Sequence, residues 1–350
     1  MAGTSGIQDI DLKRVLRFAC GVSCAFLIAQ LLAWPLAYVT PVLTALLLLD
    51  PAPLALRTAG KVLVTAVMSI LAGYLIATGL TPYPIIFILA FGLLLFRLYL
   101  YLLMSGAHFI GITGALLGCL LMPVLVRVHP DVAAGVALGI VVDLGVAMMI
   151  SWVSFALFPV RSVPTAPSAK TIPLAIALGL SARLTWVAMP LFVAFLVFEW
   201  TNALTLIFAV LFATGMNSQG GAAQGITSLI GNVLLGGATM LLCYELLVAA
   251  PFLPFLGLMI MTLCVIFGAQ ILKGGRHRQI WWSGLSALLL LLGSALASED
   301  VTTTGKLIDR GGMILLATLY VVFAYNFLDL VEHALTKLRT KDPFMKVAGQ

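Results

Sequence analysis

The stretch PIIFILAFGLLLFRLYLYLLM, residues 84–104, decides the fold class. It runs for twenty-one residues with Arg97 as its one charge, and a helix of that length rises about 30 Å, the thickness of a bilayer's hydrocarbon core. In lipid every backbone N–H and C=O must be bonded within the protein, which leaves helices or closed barrels. Barrel strands alternate polar and apolar residues, and this stretch does not alternate. It therefore reads as a membrane-spanning helix, and the runs Val62–Leu80 and Gly284–Ala297 are likewise apolar enough to stay in lipid.

The whole chain follows the same pattern. Of its 350 residues, 62% are hydrophobic and 9% are charged, and the mean hydropathy is +1.15, whereas a soluble domain is about a quarter charged. The segment after Lys13, Arg14 and Arg17 has no small-residue cleavage site, so the first helix is expected to stay as an anchor. All five cysteines lie in apolar runs, where a thiol packs as a small hydrophobe. Cys20 and Cys24 share a helix face but have no third ligand nearby, so neither a metal nor any other cofactor is expected.

Breaks at polar and Pro/Gly clusters give apolar segments near 15–33, 36–49, 58–80, 84–104, 106–126 and 136–158. A second set lies near 180–198, 202–215, 222–248, 252–272, 279–297 and 308–328. The expected fold is an all-α polytopic membrane protein with about twelve segments. It divides into a first six-helix repeat at 1–160, a cytoplasmic linker at 161–173, a second repeat at 174–336 and a cytoplasmic tail at 337–350. Counting Lys and Arg by loop puts sixteen on the side of both termini and three, Arg127, Lys306 and Arg310, on the other. The positive-inside rule then places both termini in the cytoplasm. The net charge of +6 is a juxtamembrane feature and gives no reason to expect nucleic acid.

Shifting the chain by 166 residues aligns Arg17 with Arg183, Trp34 with Trp200, Gly118 with Gly284, Gly139 with Gly305 and Asp143 with Asp309. Six crossings return the chain to its starting side, so the repeat is expected to be parallel. Leu36–Leu49 and Asn202–Gly215 are fourteen residues each, short for a span. Whether the first helix pair of each half crosses fully or is broken and re-entrant stays open at this point. Short apolar segments at matching positions point to a transporter's binding region.

An ionisable residue inside a span costs about 2.5–3.5 kcal/mol on insertion scales and calls for a reason. Asp143 and Asp309 are the candidate proton-coupling residues, although counting back from the 155–159 boundary puts Asp143 only about a turn inside the outer edge. A helix-end carboxylate bonded to a neighbour is the plainer alternative. The polar, uncharged, glycine-rich stretch 216–225 contains Asn217, Ser218, Gln219 and Gln224, candidates for holding a carboxylate at a helix start. An ordinary turn is the alternative there. Asp50, at the end of the first short segment, and Arg17 and Arg183, at the first helix of each half, join the candidate substrate site. Topology and snorkelling to headgroups are the plainer alternative for such arginines. Trp34 and Trp200 fit either ring stacking or an interfacial belt. No G-x-x-x-x-G-K-[S/T], H-E-x-x-H or G-x-S-x-G is present, so neither ATP hydrolysis by a P-loop nor an enzyme is expected.

The duplicated six-helix layout, the Arg-bearing first helix, Leu48-Leu49-Asp50-Pro51 and Gln219-Gly220-Gly221 together resemble the fusaric acid resistance/aromatic acid exporter family. The chain is distantly similar to aluminium-activated malate channels as well. The resemblance implies a bacterial inner-membrane exporter of small organic acids, aromatic ones among them. Export would be driven by the proton gradient and work with a periplasmic membrane-fusion adaptor protein. Members of that family carry cytoplasmic domains after one or both halves, whereas this sequence has only 161–173 and 337–350 in those places. A passive organic-anion channel and a non-transporting envelope scaffold are the competing expectations. The lipid bilayer is an expected partner in every case, and homo-oligomerisation is left open.

Overall fold

The computed structural model describes residues 12–80, 82–104, 109–159, 173–197, 230–275 and 277–297, with single positions at 227 and between 312 and 330. All regular structure among the described residues is helical. α1 (Leu12–Leu32) is followed by a 3-10 turn (Ala37–Val39) and α2 (Thr40–Leu49). Next come α3 (Leu56–Leu80), α4 (Pro84–Met104), α5 (Phe109–Val128), α6 (Pro130–Leu157) and α7 (Leu174–Val197). α8 (Gly231–Ala249), which opens as the π-helix Gly231–Gly237, is followed by α9 (Leu253–Lys273) and α10 (Arg278–Leu296).

Eight helices among the described residues are long and apolar enough to cross a membrane: α1, α3, α4, α6, α7, α8, α9 and α10. Large apolar side chains such as Leu71, Leu75, Leu89, Leu93, Leu242 and Leu258 stand exposed along them. A water-soluble monomer rarely exposes apolar surface on that scale. The chain is a multi-pass membrane protein whose apolar helices face lipid.

Two expectations change. The segment expected as one short helix over 36–49 is a 3-10 turn joined to a helix of 10 residues, which rises only about 15 Å. Pro35 explains why α1 does not run on into that turn, since proline lacks an N–H and its ring would collide with the carbonyl four residues back, that of Leu31. α6 begins at Pro130 rather than near 136, and Asp143 stands midway along its 28 residues instead of a turn from its edge. Of the expected later segments, 202–215 lies outside the described residues, as does about half of 308–328.

Packing rests on small residues that let backbones approach, as membrane helices commonly do. α3 lies against α5, where a Cβ at Gly118 would meet Ile70 Cγ1 at 2.3 Å. α8 lies against α10, where a Cβ at Gly236 would come within 2.7 Å of the Gly284 carbonyl. α1 packs on α9, with Gly268 under Phe18 and Gly257 under Leu27. α4 packs on α7 through Phe87, Phe91 and Phe192, the rings of Phe91 and Phe192 stacking with centroids 4.0 Å apart. α6 closes over α1, α2 and α5, and α10 reaches the 3-10 turn.

Candidate functional site

The site begins at the break after α1. Ala33 and Leu36 have φ of +46° and +64°, a left-handed conformation that side chains with a Cβ rarely adopt and that costs about 1–3 kcal/mol each. Between them, Trp34 and Pro35 turn the chain. The turn recovers some of its backbone bonds locally: Ala37 N–H donates to the Trp34 carbonyl at 3.1 Å and Val39 N–H to the Leu36 carbonyl at 2.8 Å. Proline at the second position of α2, Pro41, suits a helix start because that N–H needs no helical partner.

The surroundings hold this bend on two sides. On α6, a Cβ at Gly139 would lie 2.2 Å from the Pro35 carbonyl oxygen, so only glycine admits the bend there. On α10, Gly293 sits under Tyr38, and its carbonyl accepts from Gln30 Nε2 at 3.3 Å.

Asp143, one helical turn beyond Gly139, faces the same bend and is 1% exposed. Its Oδ1 accepts from Trp34 Nε1 at 2.8 Å and from the Thr40 hydroxyl, which is itself fully buried. One oxygen thus ties the start of the bend to the first residue of α2. Oδ2 has no hydrogen-bond partner among the described residues. A buried acceptor left without a donor is costly, and a bound proton would remove the charge.

At the other end of α2 the chain extends through Asp50, with φ −70° and ψ 149°, and is held where Trp152 Nε1 donates to the Leu54 carbonyl at 2.8 Å. Arg17 lies near this end. It is 2% exposed, with its guanidinium carbon 3.9 Å from the Phe155 ring centroid. Gly21, one turn on, faces Leu48 of α2 and Ser154 of α6.

Of the residues expected from sequence, the structure joins Trp34 to Asp143. Trp34 is half-buried and serves the carboxylate, so it is more than a member of an interfacial belt. Arg17 is buried within the helix packing rather than extended to headgroups. Neither Arg17 nor Asp50 bonds to Asp143, and Arg183 is half-buried on α7, which packs on α4 and α5. Trp200, Asn217, Ser218, Gln219, Gln224 and Asp309 lie outside the described residues. Thr40, Pro35 and Gly293 were not singled out from the sequence, and Gly139 stood out there only as the match of Gly305 in the repeat. The available signals were Thr40-Pro41 as a helix start and a glycine one turn before the intramembrane aspartate.

No curated protein and no solved structure matches the chain. Residues 14–153, which take in Trp34, Thr40, Gly139 and Asp143, match the family described as "Protein of unknown function (DUF2955)".

Proposed function

We propose that this chain is a bacterial inner-membrane transporter that exports small organic acids, aromatic ones among them, at the expense of the proton gradient. The observation that carries this is Asp143. A carboxylate 1% exposed, midway along a membrane-length helix, is bound to both sides of a break between two helices. Intramembrane acids placed in this way serve proton movement, and broken helices are where transporters assemble ion and substrate sites. Arg17, buried beside the same short helix, supplies a positive charge for an anion path.

The two-repeat, twelve-segment architecture belongs to this proposal, with both termini in the cytoplasm. Contacts that recur at the offset of 166 support it. Ile70 against Gly118 corresponds to Gly236 against Gly284. Gly21 against Ser154 corresponds to Val187, whose carbonyl accepts from the Tyr320 hydroxyl at 2.9 Å. α1 on α9 and α7 on α4 form a reciprocal pair, the first helix of each half lying beside the fourth of the other. Trp34 and Asp143 recur in the sequence as Trp200 and Asp309. A periplasmic membrane-fusion adaptor is the expected partner on the strength of the family resemblance.

The test uses purified protein in proteoliposomes with radiolabelled benzoate as the probe. Uphill movement that stops when a protonophore collapses the pH gradient supports coupled transport. Benzoate flux that ignores the gradient makes the protein a channel, and absence of flux rejects organic-acid transport as its activity.

A further inference from the structure

We infer that residues 33–49, the bend and α2, form a latch that Asp143 holds shut and that opens when Asp143 takes a proton, while the helices around it stay fixed. This rests on the transport proposal, for which it names the moving part.

The surrounding helices are fixed by interlocking. α1 is pinned to α9 at Phe18–Gly268 and Leu27–Gly257, so its movement is restrained as far as Leu27. α4 is pinned to α7 by stacked Phe91 and Phe192. If the halves are as proposed, each surrenders its fourth helix to the other, and rocking one half against the other would break both contacts. Close-packed interfaces of this kind resist sliding by small amounts. The change of shape must then be local.

The bend has the properties of a local moving part. It stores strain at Ala33 and Leu36. α2 carries no charged side chain between Thr40 and Leu49 and makes only about three turns. Its far end is tethered through the extended stretch that Trp152 holds at Leu54. Its near end is held by Thr40 and Trp34, both donating to one oxygen of Asp143. Hydrogen bonds to a charged acceptor are roughly twice as strong as those to a neutral one, so adding a proton to the carboxylate weakens both sides of the latch at once.

Among the described residues the partners of Asp143 are Trp34 and Thr40, and neither titrates. The titratable groups on the elements packed around it are engaged elsewhere or lie toward the ends. On α1, Arg17 is over Phe155, and Lys13 and Arg14 precede it, with Cys20 and Cys24 following. Tyr38 of the bend meets Gly293. α3 carries Arg57 and Lys61 in its first two turns and Tyr74 further on, and α5 carries Cys119, packed against Gly73. On α6 itself, His129 and Asp131 pair at the N-terminal end, 3.6 Å apart. Of the contacts that hold the bend, the packing at Gly139 and Gly293 is independent of pH, and the two bonds to Asp143 are the ones that answer to a proton.

Pulsed electron resonance between spin labels tests this on the full chain in lipid nanodiscs. Labels go on Ala33→Cys and Leu138→Cys, both exposed, with Cys20 and Cys24 replaced by serine and the three buried cysteines left in place. A control pair, Leu93→Cys and Trp186→Cys, reports α4 against α7. The expected result is one short 33–138 distance at pH 8 and a population lengthened by on the order of one helical turn, about 5 Å, at pH 5. Asp143→Asn should give the lengthened population at both pH values, and the control distance should not change. A 33–138 distance that ignores pH in the otherwise native chain overturns the latch even if Asp143→Asn fails to fold. A control distance that shifts with pH overturns the fixed frame. A moving latch without gradient-driven benzoate flux sinks the transport proposal alone, and coupled flux with an unmoving latch sinks this inference alone.

Discussion

The indole N–H of Trp34 donates to Asp143 at 2.8 Å across 109 residues of chain. This bond joins the end of the first helix to the middle of the sixth and, with Thr40 on the same oxygen, fixes where α2 begins. Its worth can be measured. Trp34→Phe keeps the ring and removes the donor, so about 1–3 kcal/mol of stability should be lost. The loss should appear as a lower thermal midpoint in detergent. In an Asp143→Leu background the same change should cost well under half as much, because the acceptor is gone. Equal costs in both backgrounds would mean that the bond contributes nothing.

Gly139 and Gly135 separate close approach from mere proximity. A Cβ at Gly139 would lie 2.2 Å from the Pro35 carbonyl, while one at Gly135 would lie 3.9 Å from the Pro35 ring. Gly139→Ala should lose about 1–3 kcal/mol or displace the bend, as overpacking does. Gly135→Ala should be neutral or slightly stabilising. Comparable thermal midpoints for the two variants would contradict the bend geometry.

At the α3–α5 contact, Gly118→Ala should destabilise because its methyl group would meet Ile70 at 2.3 Å. Ile70→Ala should partly rescue it by clearing the space, while costing stability on its own through the cavity it leaves. Thermal unfolding of both single variants and the double variant reads this. A double variant no better than the sum of the singles would place the contact elsewhere.

Arg17 over Phe155 predicts that lysine is a poor replacement. The planar guanidinium stacks on the ring, and a lysine ammonium does not reproduce that arrangement. Arg17→Lys should lose about 0.5–2 kcal/mol and Phe155→Leu a similar amount. Unchanged stability for both would leave the stacking without energetic weight.

The eight membrane-length helices among the described residues were legible because hydropathy is a local property. Residues 84–104 announce a membrane helix from composition alone, and α4 occupies that range. Asp143 and Trp34 were each legible as unusual, since an acid in an apolar run and a tryptophan that recurs at the offset of 166 stand out. Their pairing was not, because no local pattern joins residues 109 apart. The depth of Asp143 was misjudged for a physical reason. His129-Pro130-Asp131 looks like loop, yet proline fits the first turn of a helix, so α6 starts there and the aspartate falls at its middle. Phe87, Phe91 and Phe192 were illegible as a contact, because an aromatic residue in an apolar run looks the same whether it meets lipid or another helix.

The most direct measurement of the central claim is pH-gradient-driven benzoate movement in proteoliposomes, comparing the native chain with Asp143→Asn at matched, folded protein loads. Asn keeps the size of Asp143 and abolishes its proton exchange. Gradient-dependent accumulation by the native chain, and its loss with at most passive flux in Asp143→Asn, is the predicted result. Undiminished gradient-driven accumulation by Asp143→Asn would contradict the account.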